Sequence, residues 1–229
     1  MAWRAYLDAD QFTAAILREQ YSDEDLFVGD EEGALFASGH KFAGCNTAVA
    51  ASELAETLVR QMTAVVRLID SRCSSIAYLD RVRDDSPGGV THIFGRVEMR
   101  AFSRLTVGGP PEPIHEGLYA HADDDPDFAT ALELIGQAKA LDAVLLYKVF
   151  ELLRRSAGGT DAAFRARAGW SEGELSNFTG SLNLPAVLGD DARHAVLAGT
   201  PRRAMGLTEC ADALLAVVRE WPSGASPVP

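Results

Sequence analysis

Cysteine is scarce in this chain: three in 229 residues. Cys45, Cys73 and Cys210 stand far apart, with no C-x-x-C pair. That spacing excludes a disulfide framework and a zinc finger, and the thiols are expected to be buried as small hydrophobes. Neither a metal site nor a cofactor is expected. Long apolar runs are missing too, so no membrane span is expected. The opening residues, MAWRAYLDADQF, carry no apolar signal core, and the chain is expected to be cytoplasmic. The phosphate loop G-x-x-x-x-G-K-[ST], the zinc helix H-E-x-x-H and the nucleophile elbow G-x-S-x-G are all absent. Positive charge is the minority: 21 Lys and Arg against 33 Asp and Glu, a net charge of −12. Such a surface repels a phosphate backbone over most of its area, so general nucleic-acid binding is disfavoured. A local basic patch remains open, around Arg165 with Arg167, or Arg193 with Arg202 and Arg203.

What is present reads as a folded globular chain, with 47% hydrophobic and 24% charged residues. Residues 1–7 alternate as a strand, and Asp8 or Asp10 caps a helix to about Gln20. Residues 25–29 and 34–38 flank Asp30-Glu31-Glu32-Gly33, a hairpin signal. Asn46 or Thr47 caps a helix with an apolar stripe of Leu54, Leu58, Met62, Val65, Val66 and Ile69. Glu53, Glu56, Arg60 and Arg67 fall mostly off that stripe. Residues 76–83 and 90–107 read as further strands, the second with a bulge or bend near Gly95.

Prolines 110, 111, 113 and 126 and aspartates 123–125 mark a linker or long loop over residues 108–127. Beyond it the periodicity is helical. Residues 129–155 read as one long central helix, closed by Ala157-Gly158-Gly159. Thr160 caps a short helix that ends at Gly169, and Ser171-Glu172-Gly173-Glu174 is a capping box for the next. Pro185 and Gly189 break the chain, Asp190 or Asp191 starts a turn holding Arg193 and His194, and Thr208 caps a last helix closed by Trp221. The expected class is α+β: a small antiparallel sheet with a packed helix over residues 1–107, an all-α cluster over 128–221, and a tail over 222–229.

Arg193 and His194 are the most site-like pair, since a guanidinium beside an imidazole suits phosphate binding with proton transfer. These two are the catalytic candidates, and Asn183, Arg193, His194, Arg202 and Arg203 are the candidate binding residues. The rival reading makes the dyad structural, with Arg193 paired to Asp190 or Glu209. A further reading takes residues 161–183 as a helix-turn-helix, though its recognition helix starts with Glu172 and Glu174.

Tyr147-Lys148, Glu151-Leu152, Gly169-Trp170, Asn177-Phe178, Asn183, Ala192-Arg193-His194, Pro201, Met205 and residues 207–211 resemble a helical module found at the C-terminus of many bacterial proteins. That module is similar in outline to the HEPN-type domains of abortive-infection and toxin systems. The resemblance implies the helical scaffold. HEPN ribonucleases place an Arg a turn or two before a His; Val187, Leu188 and Gly189 stand there before His194. The expected function is therefore a non-enzymatic interaction or assembly protein, a subunit of a bacterial defence or stress system, with a protein partner or a second copy. The alternatives are a HEPN-like ribonuclease or phosphate-processing enzyme centred on Arg193 and His194, and a helix-turn-helix DNA binder.

Overall fold

A computed structural model describes residues 3–31, 33–86, 88–94, 114–188, 192–193, 201 and 203–224. The fold is α+β. The chain divides into two compact units, residues 1–66 with 72–113, and residues 67–71 with 114–229.

The first unit runs β1 (Trp3–Asp8), α1 (Gln11–Gln20), β2 (Phe27–Glu31), β3 (Ala34–Ser38), α2 (Ala48–Ile69), β4 (Ala77–Asp84) and β5 (Thr91–Ile93). The strands form one antiparallel sheet in the order β2-β3-β1-β4-β5. Without β5 this is the β-α-β-β-α-β order of the split βαβ motif. Local chemistry explains the helices. Asp10 accepts from the Thr13 amide at 2.9 Å and caps α1; the Thr47 hydroxyl accepts from the Ala50 amide at 3.1 Å at the start of α2. Burial and three strong hydrogen-bond donors compete at Asp10. Burial raises its pKa, but Ser74 and then Thr13 outweigh it and hold the carboxyl below its ordinary range.

The two faces of the sheet differ. Ala5, Leu7, Leu35, Ala37, Val28 and Val82 share one face by register and are all buried. Helices α1 and α2 lie on that side: Arg18 pairs with Asp30 at 3.2 Å, and the Tyr78 hydroxyl bonds to Ser52 at 2.9 Å. The opposite face carries Arg4, Tyr6, Phe36, Gly29, Glu31 and Arg83.

Gly39 ends β3 with φ 138°, and a Cβ there would stand 2.4 Å from the Asp25 carbonyl oxygen. Gly33, in the β2–β3 turn, has φ +82° but open space around it. Gly39→Ala is expected to cost roughly 2–4 kcal/mol, from strain plus a backbone clash, and Gly33→Ala only about 1 kcal/mol. Urea titrations of the two variants check the difference; equal losses would mean that space around Gly39 is not limiting.

The second unit is helical: α3 (His115–Asp124), α4 (Pro126–Gln137), α5 (Ala143–Ser156), α6 (Asp161–Ala168), α7 (Glu172–Asn183), α8 (Pro185–Leu188) and α9 (Leu207–Glu220). Helix α5 is its centre and touches α4, α6, α7 and α9. An aromatic cluster fills the space between them. Phe164 lies 5.0 Å from Phe150 and 5.5 Å from Trp170, and Phe178 lies 5.2 Å from Trp170, ring centre to ring centre.

Three expectations are corrected. Residues 129–155 do not form one helix: the chain breaks after Gln137, because Asp142 caps a new helix through the Leu145 amide at 2.8 Å. The stretch 114–127 is not loop but α3 and the start of α4. The Asp125-Pro126 pair that reads as a breaker is a helix start, with Asp125 accepting from the Asp127 and Phe128 amides at 3.1 Å and Pro126 in the first turn. Thr208 does not cap α9, which begins at Leu207 with Gly206 before it and no side-chain cap. Arg67, expected mostly off the apolar stripe of α2, is 3% exposed and donates to the carbonyls of Ile135 and Ala138, both at 2.7 Å. The remainder of the 90–107 strand past Ile93, the bend near Gly95, residues 108–113 and the end of the tail lie outside the described residues.

Ser171 and Glu174 form the expected capping box, and Gly169 closes α6 with φ 70°. All three cysteines are free and buried. Burial, and then Glu209, push the Cys210 thiol up to about 11, far from a reactive thiolate. No helix among the described residues is long and apolar enough to cross a membrane.

Candidate functional site

Arg193 sits in the second unit, held from three directions. Its amide donates to the Leu182 carbonyl at 2.8 Å. Its guanidinium lies 3.8 Å above the ring of Tyr147 on α5 and donates to the Asn183 side chain at 3.4 Å. A cation stacked on a tyrosine, with a second bond to the end of α7, is a clamp between two helices. Asn183 and Arg193 therefore meet, as members of one clamp. Arg203 stands elsewhere. Its amide donates to Asn177 at 3.1 Å, and its guanidinium pairs with Glu209. Glu209 is thus taken by Arg203, and the expected pairing of Glu209 with Arg193 is corrected. His194, Arg202 and the rival partner Asp190 lie outside the described residues.

Of the other expected basic pair, Arg165 and Arg167, the second is engaged. Arg167 stacks 4.4 Å from Trp221 and lies 3.3 Å from both the Trp221 carbonyl oxygen and His121 Nε2. On α7, the would-be recognition helix, Glu172, Glu174 and Ser176 are exposed while Leu175 and Phe178 are buried. Two carboxylates on the outward face of its first turns would meet a phosphate backbone unfavourably.

A second cluster, in the first unit, was not singled out from the sequence. It lies on the sheet face opposite α1 and α2. Arg81 stacks 3.8 Å over the Tyr6 ring, and Arg4 stacks 4.7 Å over Phe36. Tyr6 and Phe36 are direct partners across β1 and β3, so the two stacks are adjacent. Arg83 pairs with Arg4 across β4 and β1 by register. Glu31 anchors the group: it bonds to Arg4 at 2.9 Å, to Arg83 at 3.4 Å and to the Tyr6 hydroxyl at 3.2 Å. Asp85 takes the other side of Arg4 at 2.6 Å. Desolvation raises the Glu31 pKa, but the Tyr6 hydroxyl and then Arg4 outweigh it, so the carboxyl is held below its usual range.

A backbone irregularity places Arg81. Between the pairs Ala5–Val82 and Leu7–Tyr78 the register of β4 shifts against β1, which leaves Leu79, Asp80 and Arg81 opposite Tyr6. Asp80 has φ 50°, the left-handed region, and its carbonyl accepts from the Phe94 amide at 2.7 Å. Bulges of this kind re-aim a side chain. Here the side chain is Arg81, whose buried Nε has no hydrogen-bond partner among the described residues. A signal existed in the sequence: Arg81-Val82-Arg83 and Arg4-Ala5-Tyr6 each put two such residues on one face of a strand, because strand side chains alternate. In comparison with known protein families, curated proteins and solved structures, the chain finds no match.

Proposed function

We propose that this chain is a non-catalytic interaction or assembly protein, a subunit of a bacterial defence or stress system. One observation supports the reading most. Arg193, the cation that a ribonuclease or phosphate-processing site would need free, is spent on the Tyr147 ring, Asn183 and Leu182. A residue so engaged braces helices α5 and α7 rather than meeting a substrate. The bacterial setting comes from the resemblance of the helical module alone.

The test is Arg193→Ala. The clamp is worth about 1–2 kcal/mol from the cation–π contact and the hydrogen bond. The melting temperature is expected to fall by roughly 3–6 °C for a chain of this size. Purified wild type is expected to leave a generic RNA uncut. Wild type that cuts RNA, paired with an Arg193→Ala variant that is inactive yet melts as wild type does, would favour the enzyme reading instead. Light scattering over a concentration series tests self-association, and a monomer throughout leaves a heterologous protein partner as the form of the proposal.

A further inference from the structure

We propose that His121 is a proton-operated latch in the helical unit. With Nε2 bare it ties α3 to Arg167 of α6; with Nε2 protonated it lets Arg167 go and closes on Asp125. The inference goes beyond the assembly reading and does not depend on it, because that reading rests on Arg193.

One atom decides between the two partners. His121 Nε2 lies 3.3 Å from a guanidinium nitrogen of Arg167 and 3.7 Å from Asp125 Oδ2. A guanidinium has donors and no acceptor, and a carboxylate only accepts, so the two neighbours need opposite states of that nitrogen. Nε2 can accept from Arg167 only through a bare lone pair. Once it carries a proton it has nothing to offer Arg167, and Asp125 is the acceptor within reach. Shortening 3.7 Å to a hydrogen bond takes a movement of about 0.5–1 Å. The proton comes from solvent, which reaches the 22% exposed imidazole, and no covalent bond breaks. Histidine is the side chain that ordinarily changes charge between pH 5 and 8.

The surroundings favour an exchange of partners. Among the described residues, the charged groups against the ring are Arg167 from α6 and Asp125 at the junction of α3 and α4. Helix α4 adds only the edge-on ring of Phe128, 4.9 Å away between ring centres. A proton on His121 sets a like charge beside Arg167 and an opposite one beside Asp125. The Asp125 side chain is 18% exposed, so water screens neither effect fully. Asp125 is the fixed partner: Oδ1 accepts from the amides of Asp127 and Phe128, both at 3.1 Å, and Oδ2 accepts from the Ser156 hydroxyl. Arg167 is the one that can leave. Its buried Nε has no hydrogen-bond partner among the described residues. Apart from His121, it rests on the carbonyl and the ring of Trp221, 3.3 Å and 4.4 Å away. Trp221 in turn donates its indole N–H to Ser156 at 3.1 Å. Protonation therefore trades a tie from α3 to α6 and the end of α9 for a tie inside the α3–α4 junction.

The experiment is nuclear magnetic resonance of the isotopically labelled full chain, titrated between pH 8 and pH 5. The nuclear Overhauser contact between the His121 ring and the Arg167 side chain is expected at pH 8 and absent at pH 5, with the loss following protonation of the ring. Each tryptophan gives one indole N–H signal. That of Trp221 is expected to move along the same curve, while that of Trp3, bonded to the Cys45 carbonyl at 2.8 Å, stays in place. His121→Gln keeps an acceptor for Arg167 and takes no proton, so its Trp221 signal is expected to hold still across the titration. Should that variant fail to fold, the wild-type contact alone decides. Three results overturn the proposal: a His121–Arg167 contact that survives protonation of the ring, a ring that takes no proton down to pH 5, or a Trp221 signal that moves in His121→Gln as it does in wild type. None of them bears on whether Arg193 braces α5 and α7.

Discussion

Arg67→Ala is expected to lower the stability of the helical unit by roughly 3–5 kcal/mol, the largest effect of any single charged residue discussed above. The guanidinium is buried and holds two carbonyls, Ile135 and Ala138, at the C-terminal end of α4. A helix leaves its last carbonyls without internal partners, and a cation there also meets the negative end of the helix dipole. Removing the side chain orphans both acceptors in a dry place, at about 1–3 kcal/mol each. Arg67→Met keeps the apolar stem and separates the two contributions: it is expected to recover the packing but not the hydrogen bonds, and to lie nearer to alanine than to wild type. Two of the three tryptophans, Trp170 and Trp221, sit in this unit, so denaturation followed by tryptophan fluorescence reads it directly. A variant within about 1 kcal/mol of wild type would show that water satisfies those carbonyls.

Phe164→Ala is expected to cost a similar 3–5 kcal/mol, for a different reason. Phe164 is fully buried and its ring touches Phe150, Trp170 and Trp221. Truncation leaves a cavity among large rings that relax only in part, and it removes edge-on aromatic contacts worth about 0.5–1.5 kcal/mol each. Phe164→Leu fills most of the volume and is expected to lose less than about 2 kcal/mol. Because the ring lies against two indoles, Phe164→Ala should also alter the near-ultraviolet circular dichroism of the native protein. A near-wild-type spectrum with the full loss of stability would place the effect in the unfolded chain instead.

Much of this architecture was legible locally. The capping residues Asp10, Thr47, Thr160 and Ser171 announce helix starts through groups one turn away, and the structure uses each of them. The hairpin of β2 and β3 follows from a short acidic turn ending in Gly33. What was illegible depends on distant partners. The break between α4 and α5 has no glycine or proline at its centre. Asp142 marks it, but Arg67, 68 residues before Ile135, completes it. The burial of Arg67 rests on the same contact, because periodicity sorts residues by face but does not encode a partner 68 residues away. Asp125-Pro126 misled for a related reason: the pair that breaks a helix also begins one. At the candidate sites, the Arg193 clamp needed Tyr147, some 46 residues upstream by number, a stacking that no spacing encodes. The arginines of the sheet face, by contrast, were readable from strand alternation once overall acidity ceased to distract from local charge.

The irregularity at Asp80 has a consequence for how this chain tolerates changes in length. From Ala5 to Leu7 is two steps along β1, while from Val82 to Tyr78 is four along β4. The surplus is even, so Tyr78 and Val82 both still point toward the helices. Losing or gaining a single amino acid within 79–81 would swap inside for outside along the whole of one flank of that strand, whereas removing a pair would merely straighten it. Homologous chains that differ here should therefore differ by even numbers.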